Sequence, residues 1–281
     1  MWKRRTYSRK RKGINNMSYL LNNYQEFPEP PNFLADGLLY ETMMGSTVYG
    51  ANVSPSADLD LYAFCLPPVQ YVNPAAVGLV SGFDELPVFE QYQVQHVMVS
   101  GVGEVDLTVY NVVKYFKLCR DGNPNMLDSV FTKDKHVTYC SPKGKLVRDN
   151  RDLFLSKGSV TKTLGFASGE LAAVKRSCNG KTTNRPKLVE LYGYDTKSAY
   201  HVLRLLLQAK QLCETGTLEL DRNGKYLQEV RQGKYILPEF LDLSQDLMVT
   251  CDKLLNTCDL PERDDKHRHL KLRELLLEVL H

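Results

Sequence analysis

Between residues 38 and 110 the apolar runs, apart from residues 69–90, read as strands, and from residue 111 onward helical spacing takes over. Leu38, Leu39, Tyr40, Met43 and Met44 form an apolar run that stops at Gly45-Ser46, which predicts a strand entering a glycine turn. Leu59 to Leu66, closed by Pro67-Pro68, reads as a second strand. Residues 69–90 break the pattern and read as an irregular insertion. Gln91 to Ser100 alternates in its first half. After the Gly101-Val102-Gly103 turn, the β-branched Val105, Thr108 and Val109 predict a clear strand over 104–110. Upstream, Met17 to Phe33 reads as a short helix and a proline turn at Pro28, Pro30 and Pro31.

Helical spacing takes over at Asn111, a candidate cap for a helix whose apolar face is Val112, Val113, Phe116 and Cys119. Asn123-Pro124 looks like a cap followed by proline in the first helical position. From about residue 145 nearly everything reads as helix, most plainly Thr196–Lys210 and the amphipathic Lys266–Leu280. The first half is therefore α/β and the second helical, with a boundary at Ser141-Pro142-Lys143-Gly144. The expected organisation is an arm over 1–16, a domain over 17–144 and a helical domain over 145–281.

Composition narrows the picture. The 281 residues are 43% hydrophobic and 25% charged with a net charge of +3, an ordinary globular balance that excludes a uniformly basic nucleic-acid binder. The basic charge is concentrated instead in Lys3, Arg4, Arg5, Arg9, Lys10, Arg11 and Lys12, a stretch without acids that predicts a disordered arm. No run approaches the ~20 apolar residues of a membrane span, and no apolar core follows the basic start as in a secretory signal. The seven cysteines are odd in number and form no CxxC pair, as expected of free thiols in a reducing cytoplasm. Cys251 and Cys258 near His267 and His269 do not match structural zinc spacing.

The candidate chemistry lies in Gly45-Ser46, an eleven-residue gap, and Asp58-Leu59-Asp60. On a strand, residues i and i+2 share a face, so Asp58 and Asp60 project together while Leu59 and Leu61 point into the core. Two carboxylates on one face repel unless a cation sits between them, and hard oxygen donors suit Mg²⁺. Asp106, between Val105 and Leu107, is the best third acid, with Glu104 on the same face as its substitute. Two metals held in this way activate a hydroxyl and stabilise a leaving pyrophosphate. The exposed backbone and hydroxyl of Gly45-Ser46 suit triphosphate oxygens. Taken singly, an Asp-x-Asp is usually solvated and a Gly-Ser is usually a turn; their combination with a strand-borne third acid is what points to a site.

This arrangement resembles the signature of DNA polymerase β-like nucleotidyltransferases. The segments SADLDLYAF, VDLTVYNVVKYFKLCRDGNPNMLDSVF, GYDTKSAYHVLRLL and LPERDD resemble successive blocks of the RNA repair pathway DNA polymerase β family and span most of residues 38–281. The resemblance implies an α+β core, a mixed sheet with flanking helices, followed by a helical domain with the site in the cleft between them. It implies two Mg²⁺ ions, or Mn²⁺, on Asp58, Asp60 and Asp106, and phosphate binding at Gly45 and Ser46. The long stretch between Asp60 and Asp106, which contains the insertion near residues 69–90, departs from the family pattern.

Lys197, His201, Arg204 and Gln208 fall on one stripe of the strongest helix, a candidate phosphate-binding face opposite Ala199, Val202, Leu203 and Leu206. Lys162, Lys175 and Arg176 read as solvated, and Lys114 and Lys117 point outward by default. The expected activity is transfer of a nucleoside monophosphate from an NTP to a hydroxyl with pyrophosphate release. The preferred acceptor is an RNA 3′ end, that of a damaged tRNA for example, in the cytoplasm of a bacterium or phage-infected cell. Nucleotidylation of a protein side chain or small molecule, and a non-catalytic nucleotide- or RNA-binding module, are the alternatives.

Overall fold

The computed structural model describes residues 18–52, 58–178 and 185–281. The arm expected over 1–16, and part of the gap between Ser46 and Asp58, lie outside the described residues. Ser18 opens a short helix α1 (Tyr19–Asn22), followed by a 3₁₀ turn (Tyr24–Glu26) and α2 (Leu34–Gly37), which leads directly into β1 (Leu38–Met43). β2 (Leu59–Cys65) comes next. The 69–90 insertion holds α3 (Val69–Val72) and a 3₁₀ turn (Pro74–Val77). Then follow β3 (Gln91–Val99), β4 (Gly103–Asn111), α4 (Val112–Arg120), α5 (Pro124–Phe131), β5 (Val137–Cys140) and α6 (Pro142–Asp149). The second half is α7 (Lys157–Cys178), α8 (Pro186–Tyr192), α9 (Thr196–Thr215), α10 (Gly224–Arg231), α11 (Leu237–Leu255) and α12 (Lys266–Leu280).

The fold is α+β, with a five-stranded mixed sheet in the order β3-β4-β2-β1-β5. β2 and β4 are parallel and the other pairs antiparallel. β5 is the strand that patterning misses; its four residues are too few to display a period.

Alternation along the strands divides the interior. Leu61, Ala63 and Cys65 of β2 and Val105, Leu107 and Val109 of β4 pack on Leu20, Phe27 and Leu34 on one face of the sheet. Phe64, on the other face, joins a larger core that runs through α4–α12, from Leu39 to Val279. The N-terminal segment is fastened by Glu41, a fully buried β1 carboxylate. It accepts from Ser18 Oγ at 3.1 Å, Tyr19 N at 2.7 Å, Leu20 N at 3.0 Å and Thr138 Oγ1 at 2.6 Å. A carboxylate from a distant strand thus satisfies the first amides of α1.

Local chemistry sets the helix starts as the sequence implies. The Asn111 side chain accepts from Val113 N at 2.9 Å and that of Asn123 from Asn125 N at 3.1 Å, each supporting its helix by about 1 kcal/mol. α9 begins at Asp195, which accepts from Lys197 N at 3.0 Å and Ser198 N at 3.1 Å, and ends at the left-handed Gly216. Between those caps α9 is buried on nearly every side, and this corrects the expected split into a polar stripe and an apolar face. α7, α10 and α11 surround it, so its polar residues sit inside the helical layer. Among the described residues no helix is long and apolar enough to cross a membrane.

Candidate active site

β2 and β4 pair in parallel with Asp60 directly opposite Asp106. In a parallel ladder, partners in register share a face about 4.8 Å apart, so the two carboxylates stand side by side. Asp58 precedes β2 by one residue, and its charge also acts on Asp60. Desolvation, then repulsion from Asp106, raises the pKa of Asp60; Lys197 opposes the shift and Asp58 adds to it.

Asp106 is oriented by a neighbouring strand. β3 bulges between Val94 and Val97, where His96 takes a positive φ of 56°. There the His96 amide donates to Asp106 Oδ1 at 2.7 Å, and its imidazole pairs with Glu104. Bulges commonly re-aim groups beside active sites. Glu104, the substitute third acid, is therefore engaged with His96, whereas Asp106 is the acid in register with Asp60.

Gly45 sits against Asp60. Its φ is +75°, and a Cβ there would lie 2.2 Å from Asp60 Oδ2, so only glycine permits this approach. The following turn closes with Val48 N donating to Gly45 O at 3.2 Å and Ala51 N to Ser46 O at 2.9 Å. Ser46 Oγ donates to Asn52 Oδ1 at 2.5 Å, and Asn52 Nδ2 to Thr47 Oγ1 at 2.9 Å. α10 braces this loop from outside. Gln228 Nε2 donates to Gly50 O at 2.9 Å and Arg231 to Ala51 O at 2.9 Å. Gly224 lets the two backbones meet, since a Cβ there would lie 2.8 Å from the carbonyls of Tyr49 and Gly50.

The helical half supplies cations. Desolvation, Arg185 and Arg231 hold the Lys197 pKa below its usual value, while Asp60 and Asp58 pull it upward. Lys197 thus feels the charge of both arginines and of the carboxylates. Arg185 pairs with Asp195 at 3.0 Å, and Arg231 lies 5.4 Å from the centre of the Tyr200 ring. Sequence reasoning missed both arginines, which lie outside α9 and carry no motif.

The other stripe residues behave differently. Desolvation, then Arg204 and Lys197, depress the His201 pKa to about 3, so the ring is neutral at ordinary pH. Arg204 is 6% exposed and pairs with Asp128 Oδ2 at 2.6 Å. Tyr49 donates to the same oxygen at 2.6 Å, and Gln208 Nε2 to Asp128 Oδ1 at 2.9 Å. Arg204 and Gln208, expected to face phosphate, are both engaged by a buried carboxylate on α5 that the sequence does not mark. Lys114 is likewise paired, with Glu90 at 2.7 Å, while Lys117, Lys162, Lys175 and Arg176 are exposed.

The seven cysteines are free. Among the described residues no group of three or more His, Cys, Asp or Glu side chains is gathered into a ready-made ion cage. The carboxylate set nonetheless fits a hard divalent cation. Asp60 and Asp106 are in register, and Asp58 and Asp106 both raise the Asp60 pKa, the electrostatic condition a bound cation relieves.

A solved structure described as a nucleotidyltransferase-like protein from Exiguobacterium sibiricum is similar at 9% identity with a TM-score of 0.30, covering 92% of this chain and 77% of its own. No curated protein matches the sequence. Residues 21–278 match the family described as the RNA repair pathway DNA polymerase beta family. That match takes in the whole sheet and every helix from α2 to α11, the Gly45-Ser46 turn, the carboxylates and Lys197 included, and the chain belongs to this family of polymerase β-like nucleotidyltransferases.

Proposed function

We propose that the chain transfers a nucleoside monophosphate from an NTP to a hydroxyl of an RNA, with a tRNA 3′ end as the preferred acceptor. The observation that carries this reading is the register pair Asp60–Asp106, with the charge of Lys197 acting on Asp60 and those of Arg185 and Arg231 acting on Lys197. Negative and positive groups that act on one another in this way suit a cation-bound triphosphate. Asp58, Asp60 and Asp106 would hold two Mg²⁺ or Mn²⁺ ions, whose chemistry is to stabilise phosphoryl charge and acidify the attacking hydroxyl. The Gly45–Asn52 turn receives phosphate oxygens on its backbone and Ser46, and Lys197, Arg185 and Arg231 offset the charge of the leaving pyrophosphate. The acceptor oxygen bonds to the α-phosphorus, its proton passes to the Asp106 carboxylate, and the bond from that phosphorus to the bridging oxygen of pyrophosphate breaks. In this reading residues 17–144 form the catalytic domain and 145–281 the helical one.

Incubation with Mg²⁺, each labelled NTP, total tRNA and cell protein tests the proposal. Label is expected on RNA and absent with the Asp58→Ala/Asp60→Ala variant. Label on protein would replace RNA as the acceptor, and Mg²⁺-dependent nucleotide binding without transfer would favour a non-catalytic module.

A further inference from the structure

Beyond the carboxylates, the same face of the sheet becomes aromatic. Tyr62 follows Asp60 by two residues on β2, and Tyr110 follows Asp106 by four on β4, so side chains alternating along each strand bring both rings to the carboxylate side. Two residues advance about 7 Å along a strand, which places Tyr62 one step from Asp60. The rings meet edge to face, with centroids 6.2 Å apart and planes at 63°. Both are only partly buried.

A third tyrosine comes from α9. Tyr200 is 2% exposed, and its hydroxyl has no hydrogen-bond partner among the described residues. Its ring has the Arg231 guanidinium 5.4 Å away and the Tyr49 ring 6.5 Å away. Asp60, Asp128 and Arg204 act electrostatically on both Tyr62 and Tyr200, so the two phenols occupy one neighbourhood beside the carboxylates. Buried hydroxyls are almost always paired, and one that bonds nothing contributes nothing to packing that phenylalanine would not.

We propose that Tyr62 and Tyr110 form a stacking platform for a nucleobase, with the Tyr200 hydroxyl completing the subsite by bonding a polar atom of the same nucleoside. The proposal rests on the nucleotidyl-transfer reading, because it takes the phosphates to lie at the carboxylates and Lys197. Aromatic faces bind any base, so the subsite supplies affinity without discriminating strongly among the four. The base belongs either to the incoming NTP or to the terminal nucleotide of the acceptor, and binding measurements separate the two.

The experiment compares Mg²⁺-dependent binding of ATP, CTP, GTP and UTP, of inorganic tripolyphosphate, and of a short oligoribonucleotide to the full chain. It uses the wild type and the Tyr62→Leu, Tyr110→Leu, Tyr200→Phe and Lys197→Ala variants. Tyr62→Leu and Tyr110→Leu are expected to weaken NTP binding about tenfold and to leave tripolyphosphate binding unchanged. Tyr200→Phe, which preserves packing, weakens NTP severalfold with an unaltered melting temperature. Lys197→Ala weakens NTP and tripolyphosphate together. Loss confined to the oligoribonucleotide supports the platform and assigns it to the acceptor base. Wild-type affinity for NTP and oligoribonucleotide in all three tyrosine variants overturns the proposal, as does an equal loss of NTP and tripolyphosphate. If the wild type binds neither triphosphate, the nucleotide reading itself fails, and the platform with it.

Discussion

Gly45 shows how an absent side chain shapes the site. Its hydrogen faces Asp60 Oδ2 where a methyl group would sit at 2.2 Å, in a backbone conformation that L-residues adopt at a cost of about 1–2 kcal/mol. Gly45→Ala is expected to lower stability by at least that amount in urea unfolding. Its loss of transfer activity should exceed what the unfolded fraction explains, because the Asp60 carboxylate must move. His201 gives a pH signature. Its folded pKa is depressed to about 3, below the ~6.5 of an unfolded histidine. Below pH 6.5 the unfolded chain therefore binds a proton that the folded chain refuses, and stability falls from pH 6.5 toward 3. Glu41 and Asp128, raised by burial, act with the opposite sign. Because they are common to both proteins, stability-versus-pH curves for wild type and His201→Gln isolate the histidine. The variant should lose less stability on acidification.

At the scale of elements, Asp128 and Arg204 join α5 to α9, with Tyr49 adding the Gly45–Asn52 turn. Arg204→Leu leaves a buried carboxylate uncompensated and is expected to cost about 3–5 kcal/mol. Asp128→Leu/Arg204→Leu should recover much of that loss, and urea denaturation of the single and double variants measures the difference. If Arg204 belongs to the core rather than to phosphate, the folded double variant keeps its tripolyphosphate affinity within a few-fold. The strands and helices themselves were largely legible. An apolar run stopped by glycine marked β1, two prolines closed β2, β-branched residues marked β4, and Asn111 and Asn123 cap their helices as their chemistry dictates. Of the candidate carboxylates, Asp60 and Asp106 were legible as strand residues flanked by apolar neighbours, whereas Asp58 lies one residue before β2. The fate of the α9 stripe was hidden, since periodicity shows which residues lie together on a helix but not what packs against them. Asp128 and Arg231 gave no local signal, because their roles come from contacts with residues 76 and 180 positions away.

For the whole molecule, the decisive fact is that the site exists only when distant segments agree. Gly45, Asp60, Asp106 and Lys197 span more than half the chain, and α10 braces the loop from further on still. The register of β2 against β4 has a consequence in time. A slip of one residue would bring Val105 or Leu107 opposite Asp60 and turn Asp106 toward the apolar layer beneath α1 and α2. Parallel strands separated by a long insertion close slowly, after the local helices have formed. In a newly made chain the meeting of Asp60 with Asp106 is therefore expected to be among the later contacts to form, so the pair that defines the candidate site is tied to the slowest long-range step of folding.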